Sequence, residues 1–203
     1  MKIRNKIIAL MISLIAMPTF SLAQTNVGQT KFGIDVGYGF ADIDAKNTAQ
    51  SIANLTGSTT TVTYDEATWM IRPFVSYGYT KEISGELGLF YTGDLDASYR
   101  TVSGITAKES YNAYGLDLSG VYSFPGGIFA KAGVHYGQVD GNGSVRLSDG
   151  RSASVSGYSY GGNVLVGIGY ENQNGFRVGY TFYNDVGNLE GADFGMLYIG
   201  AKF

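Results

Sequence analysis

Apolar residues alternate with small or polar ones along most of this chain, in stretches of about ten residues. That length and that period of two are what a strand needs to cross a bilayer. Short connections alternate with long polar ones, so one rim of the sheet is trimmed and the other elaborated. We predict an all-β fold, an eight-stranded antiparallel up-and-down transmembrane β-barrel, with strands at 31–42, 68–79, 83–94, 110–124, 128–139, 158–170, 176–184 and 194–203. The long connections are predicted to be exposed loops at 44–67, 95–109, 140–157 and 186–192.

The two faces of each predicted strand differ in kind. One face is aromatic or aliphatic, as at Phe32, Val36 and Phe40, and the other is mostly glycine with scattered charges. A secreted soluble barrel of the lipocalin kind would hold its bulky residues inside, but the bore of an eight-stranded barrel is too narrow for all of them. The apolar face is therefore predicted to contact lipid, with aromatic residues near the strand ends at the membrane interfaces.

The start of the chain has the composition of a secretory leader. Lys2, Arg4 and Lys6 precede an apolar segment at 7–17, and Ser21-Leu22-Ala23 places small residues at a cleavage position. The apolar segment is shorter than the roughly 18 residues that a membrane-spanning helix requires. We expect residues 1–23 to be a signal peptide cleaved after Ala23, and residues 24–203 to form the barrel domain.

Charge and composition exclude several classes of partner. With 17 acidic residues against 14 Lys and Arg, the chain has a formal net charge of −3, and removal of the leader makes it more acidic. This balance offers no basic footprint for nucleic acid. The chain has no cysteine and a single histidine, which excludes disulfides and leaves only carboxylates for a metal site. We expect no nucleic-acid partner, no metal and no cofactor.

The glycine-rich inner face carries a set of charged residues. An unpaired charge in a narrow, partly dry bore is unfavourable, so we expect these side chains to pair and to form a hydrogen-bonded network. Residue pairs across the turn at 125–127 are expected to sum to 252, which sets Asp117 opposite His135. A sum of 346 across the turn at 171–175 would set Arg177 opposite Gly169. The predicted lumen network comprises Asp35, Arg72, Glu86, Asp117, Lys131, His135 and Arg177.

Two alternatives compete with a purely structural bore. Asp117 and His135 could belong to a catalytic site, since some membrane barrels process lipids, but no serine is positioned to complete a hydrolytic triad. The second alternative is a small gated pore. Eight strands leave no wide aqueous channel, so any conductance would be minor. We expect no enzymatic activity and name no catalytic residue.

Three segments carry a family resemblance: W-M-I-R-P-F-V-S-Y-G-Y at 69–79, F-A-K-A-G-V-H-Y at 129–136, and the terminal Y-I-G-A-K-F. Across the mature chain the sequence resembles the small outer-membrane β-barrel family that includes the OmpA-like transmembrane domain and the OmpX/Ail and opacity-type proteins. The resemblance implies a Gram-negative cell outer membrane, with both termini and the short turns in the periplasm.

The resemblance also implies roles for particular residues. Interior salt bridges that plug or gate the bore are implied for Arg72, Glu86, Lys131 and Arg177. Phe203 and Tyr198 correspond to the terminal signal read by the outer-membrane insertion machinery. Outer-membrane lipid, lipopolysaccharide and that machinery are the implied partners.

The remaining candidate surface is formed by the long connections. The connections at 44–67 and 140–157 are rich in Ser, Thr, Asn and Gly, which suits a hydrated cover or a binding surface equally well. We expect a structural or surface-interactive role, such as adhesion or contact with a host cell or matrix ligand through these two connections.

Overall fold

The computed structural model describes residues 27–41, 45–188 and 193–203. The predicted leader at 1–23 lies outside these residues. A 3₁₀ turn occupies Val186–Asn188. The described residues form one α-helix and ten strands, in the order β1 (Thr30–Ala41), α1 (Ala45–Thr56), β2 (Thr60–Tyr64), β3 (Ala67–Gly78), β4 (Ile83–Thr92), β5 (Leu95–Thr101), β6 (Thr106–Ser123), β7 (Ile128–Arg146), β8 (Ser152–Glu171), β9 (Phe176–Tyr183) and β10 (Phe194–Lys202).

Eight of these strands close into an antiparallel barrel, and the predicted fold is confirmed. Each barrel strand pairs with the next barrel strand in the chain, with β2 skipped between β1 and β3 and β5 skipped between β4 and β6, and β1 also pairs with β10. The seam is hydrogen bonded to its end, since Phe203 N donates to Phe32 O at 2.8 Å and Phe32 N donates to Phe203 O at 2.9 Å. β2 and β5 stand outside the barrel: β2 pairs with β5, and β5 pairs with β6.

Burial alternates along the barrel strands as the two-sided sequence pattern requires. Inward residues are buried, whereas outward aliphatic residues such as Leu89 and Ile168 are each 60% exposed. A soluble protein would bury side chains of this kind. Their continuous exposure around the barrel is what a lipid-facing wall requires.

No helix within the described ranges is long and apolar enough to span a membrane.

Tight turns connect the strands at one end of the barrel, which we call the short-turn end. These turns lie at 79–82, 124–127 and 172–175. In the last turn Asn172 Oδ1 accepts hydrogen bonds from the backbone N–H of Asn174 and Phe176, so Glu171 still belongs to β8. Arg177 therefore pairs with Glu171. The predicted pairing of Arg177 with Gly169 is wrong by two residues along β8.

The opposite end, the long-loop end, is more ordered than the predicted loops. The predicted loop at 44–67 contains α1 and β2, and β5 lies in the predicted loop at 95–109. The predicted loop at 140–157 is a hairpin in which β7 and β8 continue to Arg146 and Ser152. These three loop predictions were wrong because apolar alternation stops where the strands leave lipid, while backbone pairing continues between polar residues. Of the fourth predicted loop, at 186–192, residues 186–188 form the 3₁₀ turn and residues 189–192 lie outside the described residues.

The sheet that rises beyond the barrel at this end is called the β-extension. It comprises residues 60–64, 95–101, 106–112, 140–146 and 152–158. Its inner face is covered by α1, whose Ala45 and Ala49 pack with Ala97 and Tyr99 of β5. The helix is followed by Gly57, whose φ of +63° suits the left-handed residue that ends many helices. The β-extension is thus a small packed unit joined to the barrel wall.

Candidate functional site

The middle of the lumen holds one connected group of buried charges, centred on Arg72. The Arg72 guanidinium binds Asp117 through two hydrogen bonds, Nε to Oδ2 at 2.8 Å and Nη2 to Oδ1 at 2.7 Å. Its Nη1 donates to Asp35 Oδ2 at 3.1 Å and to Glu86 Oε2 at 3.2 Å. One arginine from β3 therefore holds carboxylates from β1, β4 and β6, in the bidentate geometry that suits a guanidinium.

Arg177 of β9 joins the same group from the other side of the barrel. Its Nη1 donates to Glu86 Oε1 at 2.7 Å, and its Nε lies 3.3 Å from Asp35 Oδ1 in an ion pair. The guanidinium also lies over the rings of Phe74 and Phe129, 4.6 Å and 4.8 Å from their centroids. Cation–π contacts of this kind become stronger away from water. The two arginines and the three carboxylates are all about 1% exposed or less.

Glycine on the inner face makes room for these long side chains. A Cβ at Gly88 would stand 2.6 Å from Arg72 Nε, and a Cβ at Gly200 would clash with the Asp35 carboxylate. The glycines therefore leave space on the inner face of the wall at the level of the long charged side chains. This explains why the inner face of the sequence reads as glycine interrupted by charges.

Lys131 and His135 lie in the lumen but outside the ion pairs. Lys131 Nζ has no hydrogen-bond partner among the described residues and sits 5.5 Å from the centroid of the Tyr198 ring. His135 pairs with Asp117 in the β6–β7 register, yet its Nε2 contacts Asn184 O at 2.8 Å. Within the described ranges no hydrogen bond joins His135 to Asp117, whose carboxylate is taken up by Arg72.

An apolar layer closes the lumen on the long-loop side of the charges. Its principal buried members come from six barrel strands, from the first residue of β5 and from the 3₁₀ turn, so the layer crosses the full bore. Tyr183 belongs to this layer, and its ring lies 5.1 Å from that of Phe90. At the short-turn end Lys202 Nζ and Glu171 Oε1 form an ion pair at 2.6 Å. The principal members of the apolar layer are Met70, Phe90, Leu95, Val139, Leu165, Tyr183, Val186, Phe194 and Met196.

The β-extension has a polar centre of its own on its inner face. Glu109 Oε2 accepts hydrogen bonds from Tyr99 Oη at 3.0 Å and from Tyr111 Oη at 3.2 Å. Burial, followed by the nearby Glu109 carboxylate, raises the pKa of the Tyr99 hydroxyl well above its ordinary value of 10.0. The same two causes raise the pKa of Tyr111. Both hydroxyls therefore stay protonated and continue to donate to Glu109.

The raised pKa of Tyr99 predicts a loss of order at alkaline pH. A group with a raised pKa in the folded protein contributes its full stability below its unfolded value of 10.0 and loses it as the pH rises above that value. We expect amide hydrogen exchange in α1 to accelerate above pH 10.0, and the Tyr99→Phe variant to lack this additional step. Hydrogen exchange of both proteins across that range checks the prediction, and identical profiles would contradict it.

The two residues predicted as an assembly signal lie on opposite faces of the last strand. The side chain of Phe203 is 75% exposed on the outside, whereas Tyr198 is 1% exposed in the lumen. Tyr198 Oη accepts a hydrogen bond from Arg177 Nη2 at 3.3 Å. Tyr198 therefore belongs to the lumen network. The sequence analysis did not include it in that network, although its alternation with the lipid-facing residues of β10 placed it on the lumen face.

Residues 7–203 match a family model described as the outer membrane protein beta-barrel domain. The chain belongs to this family. Membership in the family places the protein in the outer membrane, where the outward face of the barrel contacts lipid. A comparison with curated proteins gave no match.

Solved structures similar to this outer-membrane barrel include Ail, the attachment invasion locus protein of Yersinia pestis, in complex with the heparin analogue sucrose octasulfate. It is 12% identical, with 86% of this chain and 99% of that chain covered and a TM-score of 0.49. OprG from Pseudomonas aeruginosa is 14% identical, with coverages of 90% and 99% and a TM-score of 0.45. The N-terminal β-barrel domain of OprF from the same organism is 17% identical, with coverages of 87% and 99% and a TM-score of 0.39.

Proposed function

We propose that the protein is a non-enzymatic display barrel, which carries the β-extension and α1 outside the cell for contact with host-cell or matrix ligands. The observation that carries this proposal is the asymmetry of the two ends. The short-turn end consists of tight turns, whereas the long-loop end carries a packed helix and sheet. Ordered structure that lies outside lipid and does not close the barrel is well placed for recognition.

The proposed orientation puts the long-loop end outside and both termini in the periplasm. Gly28 N donates to Gly78 O at 2.8 Å, and Phe203 pairs with Phe32, so both described chain ends lie at the short-turn end. Short turns face the periplasm in barrels of this class. A chain inserted from the periplasm would then push only its longer connections across the bilayer.

The filled bore favours display over conduction or catalysis. The charged network and the apolar layer occupy successive levels of the lumen, so ions would have to disrupt both to pass. His135 and Asp117, the pair considered for catalysis, are bound to Asn184 and Arg72. A small gated pore and a lipid-modifying enzyme remain the alternatives that this arrangement disfavours.

Replacement of residues 42–66 by a short Gly-Ser linker tests the display function. We expect binding of cells bearing the protein to host cells or matrix proteins to be lost, because α1 and β2 are removed. The barrel itself should persist, since among the described strands β2 pairs with β5 alone. Binding is measured alongside gel mobility before and after boiling, which reports the folded barrel.

A point variant distinguishes loss of a recognition surface from a large structural rearrangement of the long-loop end. Leu55 is 87% exposed on α1, so Leu55→Glu changes the displayed surface and leaves the packed face intact. Lys81→Glu, in a turn at the opposite end, is the matched control. Unchanged binding by the linker variant would overturn the display function. Equal loss with Lys81→Glu would show that the effect is not located at the long-loop end.

A further inference from the structure

α1 covers only part of the inner face of the β-extension. The helix packs on β5 through Ala45 and Ala49. The part formed by β7 and β8 is open. Val155 shares the inward face of β8 with Leu165, since side chains an even number of residues apart share a face, yet Val155 is 72% exposed. Lipid contact does not account for this exposure, because lipid lies against the opposite face. An open apolar surface therefore faces the interior of the long-loop end.

Directly paired residues form three successive inward rows across β6, β7 and β8. From the tip towards the membrane, these rows are Glu109–Gly143–Val155, Tyr111–Gly141–Gly157 and Ala113–Val139–Ser159. β7 thus has glycine at two consecutive inward positions. Neighbouring strands lie about 4.8 Å apart, so the inward side chains of β6 and β8 stand roughly 10 Å apart across this gap.

A groove of about 330 Å³ occupies the gap. Its floor includes Gly157, where an added Cβ would have no heavy atom within 4 Å apart from those of its chain neighbours. The ring of Tyr111 leans over Gly141 and forms one wall, since a Cβ at Gly141 would lie 3.0 Å from that ring. Val155 forms the opposite wall, and Val139 of the apolar layer closes the bottom. The volume lies within the range of small-molecule sites, roughly 300–1,000 Å³.

A single carboxylate lines this groove. Within the described strand segments of the β-extension, Glu109 is the only charged residue directed to the inner face, whereas Lys108 and Arg146 lie on the outward face. Glu109 Oε2 accepts hydrogen bonds from Tyr99 and Tyr111, which hold the carboxylate in place but bring no positive charge. No hydrogen bond or ion pair joins Glu109 Oε1 to another side chain that the structure describes.

The chemistry of the groove selects a small organic cation. A carboxylate oxygen forms strong, charge-assisted hydrogen bonds with an ammonium group, and it repels an anion. The walls offer apolar and aromatic surface to the rest of the ligand, and the gap between β6 and β8 is wide enough for one planar ring. We propose that this groove binds a small amphiphilic amine, with its ammonium group on Glu109 and its apolar body between Tyr111 and Val155. The proposal goes beyond the display function.

Ligand-observed NMR with the purified protein in neutral detergent micelles tests the site. The probe is phenethylamine, which joins an ammonium group to a phenyl ring, and 2-phenylethanol is its uncharged counterpart. Empty micelles give the background partitioning of both compounds. We expect saturable binding of phenethylamine, and binding of the alcohol that is about tenfold weaker or more, because the charge-assisted hydrogen bond is lost. Absence of saturable phenethylamine binding, or equal affinity for the two compounds, would overturn the site.

A charge variant tests the role of the carboxylate. Glu109→Gln keeps an oxygen that can accept from both tyrosines but removes the negative charge. It should weaken phenethylamine binding by about tenfold or more. Glu82→Gln, in a turn at the short-turn end, is the matched control and should bind within about twofold of wild type. Unchanged binding by Glu109→Gln, or equal weakening by both variants, would contradict the assignment of the ammonium group to Glu109.

A filling variant locates the apolar body of the ligand. Gly157→Leu places a side chain in the open space of the groove and should abolish binding, whereas Ser156→Leu adds the same side chain to the outward face of β8 and should leave binding intact. Retained binding in Gly157→Leu, or equal loss in both variants, would overturn the placement. Gel mobility before and after boiling confirms that each variant contains a folded barrel. These measurements involve no host cell, so failure of the groove and failure of the display function are distinguishable.

Discussion

Replacing Arg72 by methionine is expected to destabilise the barrel by about 3–5 kcal/mol, the range for removing one partner of a buried ion pair. Arg72 donates to Asp35, Glu86 and Asp117 at once, and all are about 1% exposed or less. Methionine fills much of the same volume but leaves Asp117 without its bidentate partner. The loss should therefore reflect uncompensated buried charge and not a cavity.

Urea unfolding in detergent or lipid measures this loss, and two further variants interpret it. Arg151→Met removes an arginine that is ion-paired with Asp149 on the exposed hairpin and should change stability little. Adding Asp117→Asn to Arg72→Met removes the stranded charge and should restore part of the stability. If the double variant were no more stable than the single one, uncompensated charge would not be the cause.

Deleting Phe203 is expected to remove most of the assembled protein from the outer membrane while destabilising the folded protein by only about 1–3 kcal/mol. The deletion removes two seam hydrogen bonds with Phe32, which together contribute about 1–3 kcal/mol. The ring itself is 75% exposed and packs little against the barrel. We attribute the expected effect on assembly to the terminal aromatic residue, which we propose that the insertion machinery recognises.

Surface level and unfolding free energy, measured on the same variants, separate assembly from stability. Phe203→Ala preserves the backbone bonds and should reproduce the assembly defect of the deletion. Ile199→Ala, which trims another lipid-facing side chain of β10, is the matched control and should assemble normally. Normal surface levels of Phe203→Ala would rule out the ring as the signal.

The strands and their faces could be predicted because apolar and small or polar residues must alternate in a strand that has one face in lipid. Phe32, Val36 and Leu89 face outward by parity alone, and the short Pro-Gly-Gly turn was enough to set Asp117 opposite His135. The Arg177 register could not be predicted, because it depends on whether Glu171 belongs to the strand or to the turn.

The sequence pattern could not predict which residues the lumen charges contact. It also could not predict the secondary structure at the long-loop end. Arg177 of β9 meets Glu86 of β4 across the bore, and such a contact depends on strand tilt and barrel diameter more than on neighbouring registers. In the β-extension both faces contain polar residues, so no apolar alternation marks it. Ala45, Ala49 and Ile52 do recur at helical spacing, and that spacing was an available signal for α1.

We also expect the lumen network to lengthen the lifetime of the folded barrel. Arg177 and Glu86 are 91 residues apart in the chain, and Arg177 reaches Asp35 only across the seam between β10 and β1. These bonds can form only after the sheet has closed. Contacts absent from the folding transition state slow unfolding more than they speed folding. We therefore expect the network to form late in folding and to slow unfolding once the seam has closed.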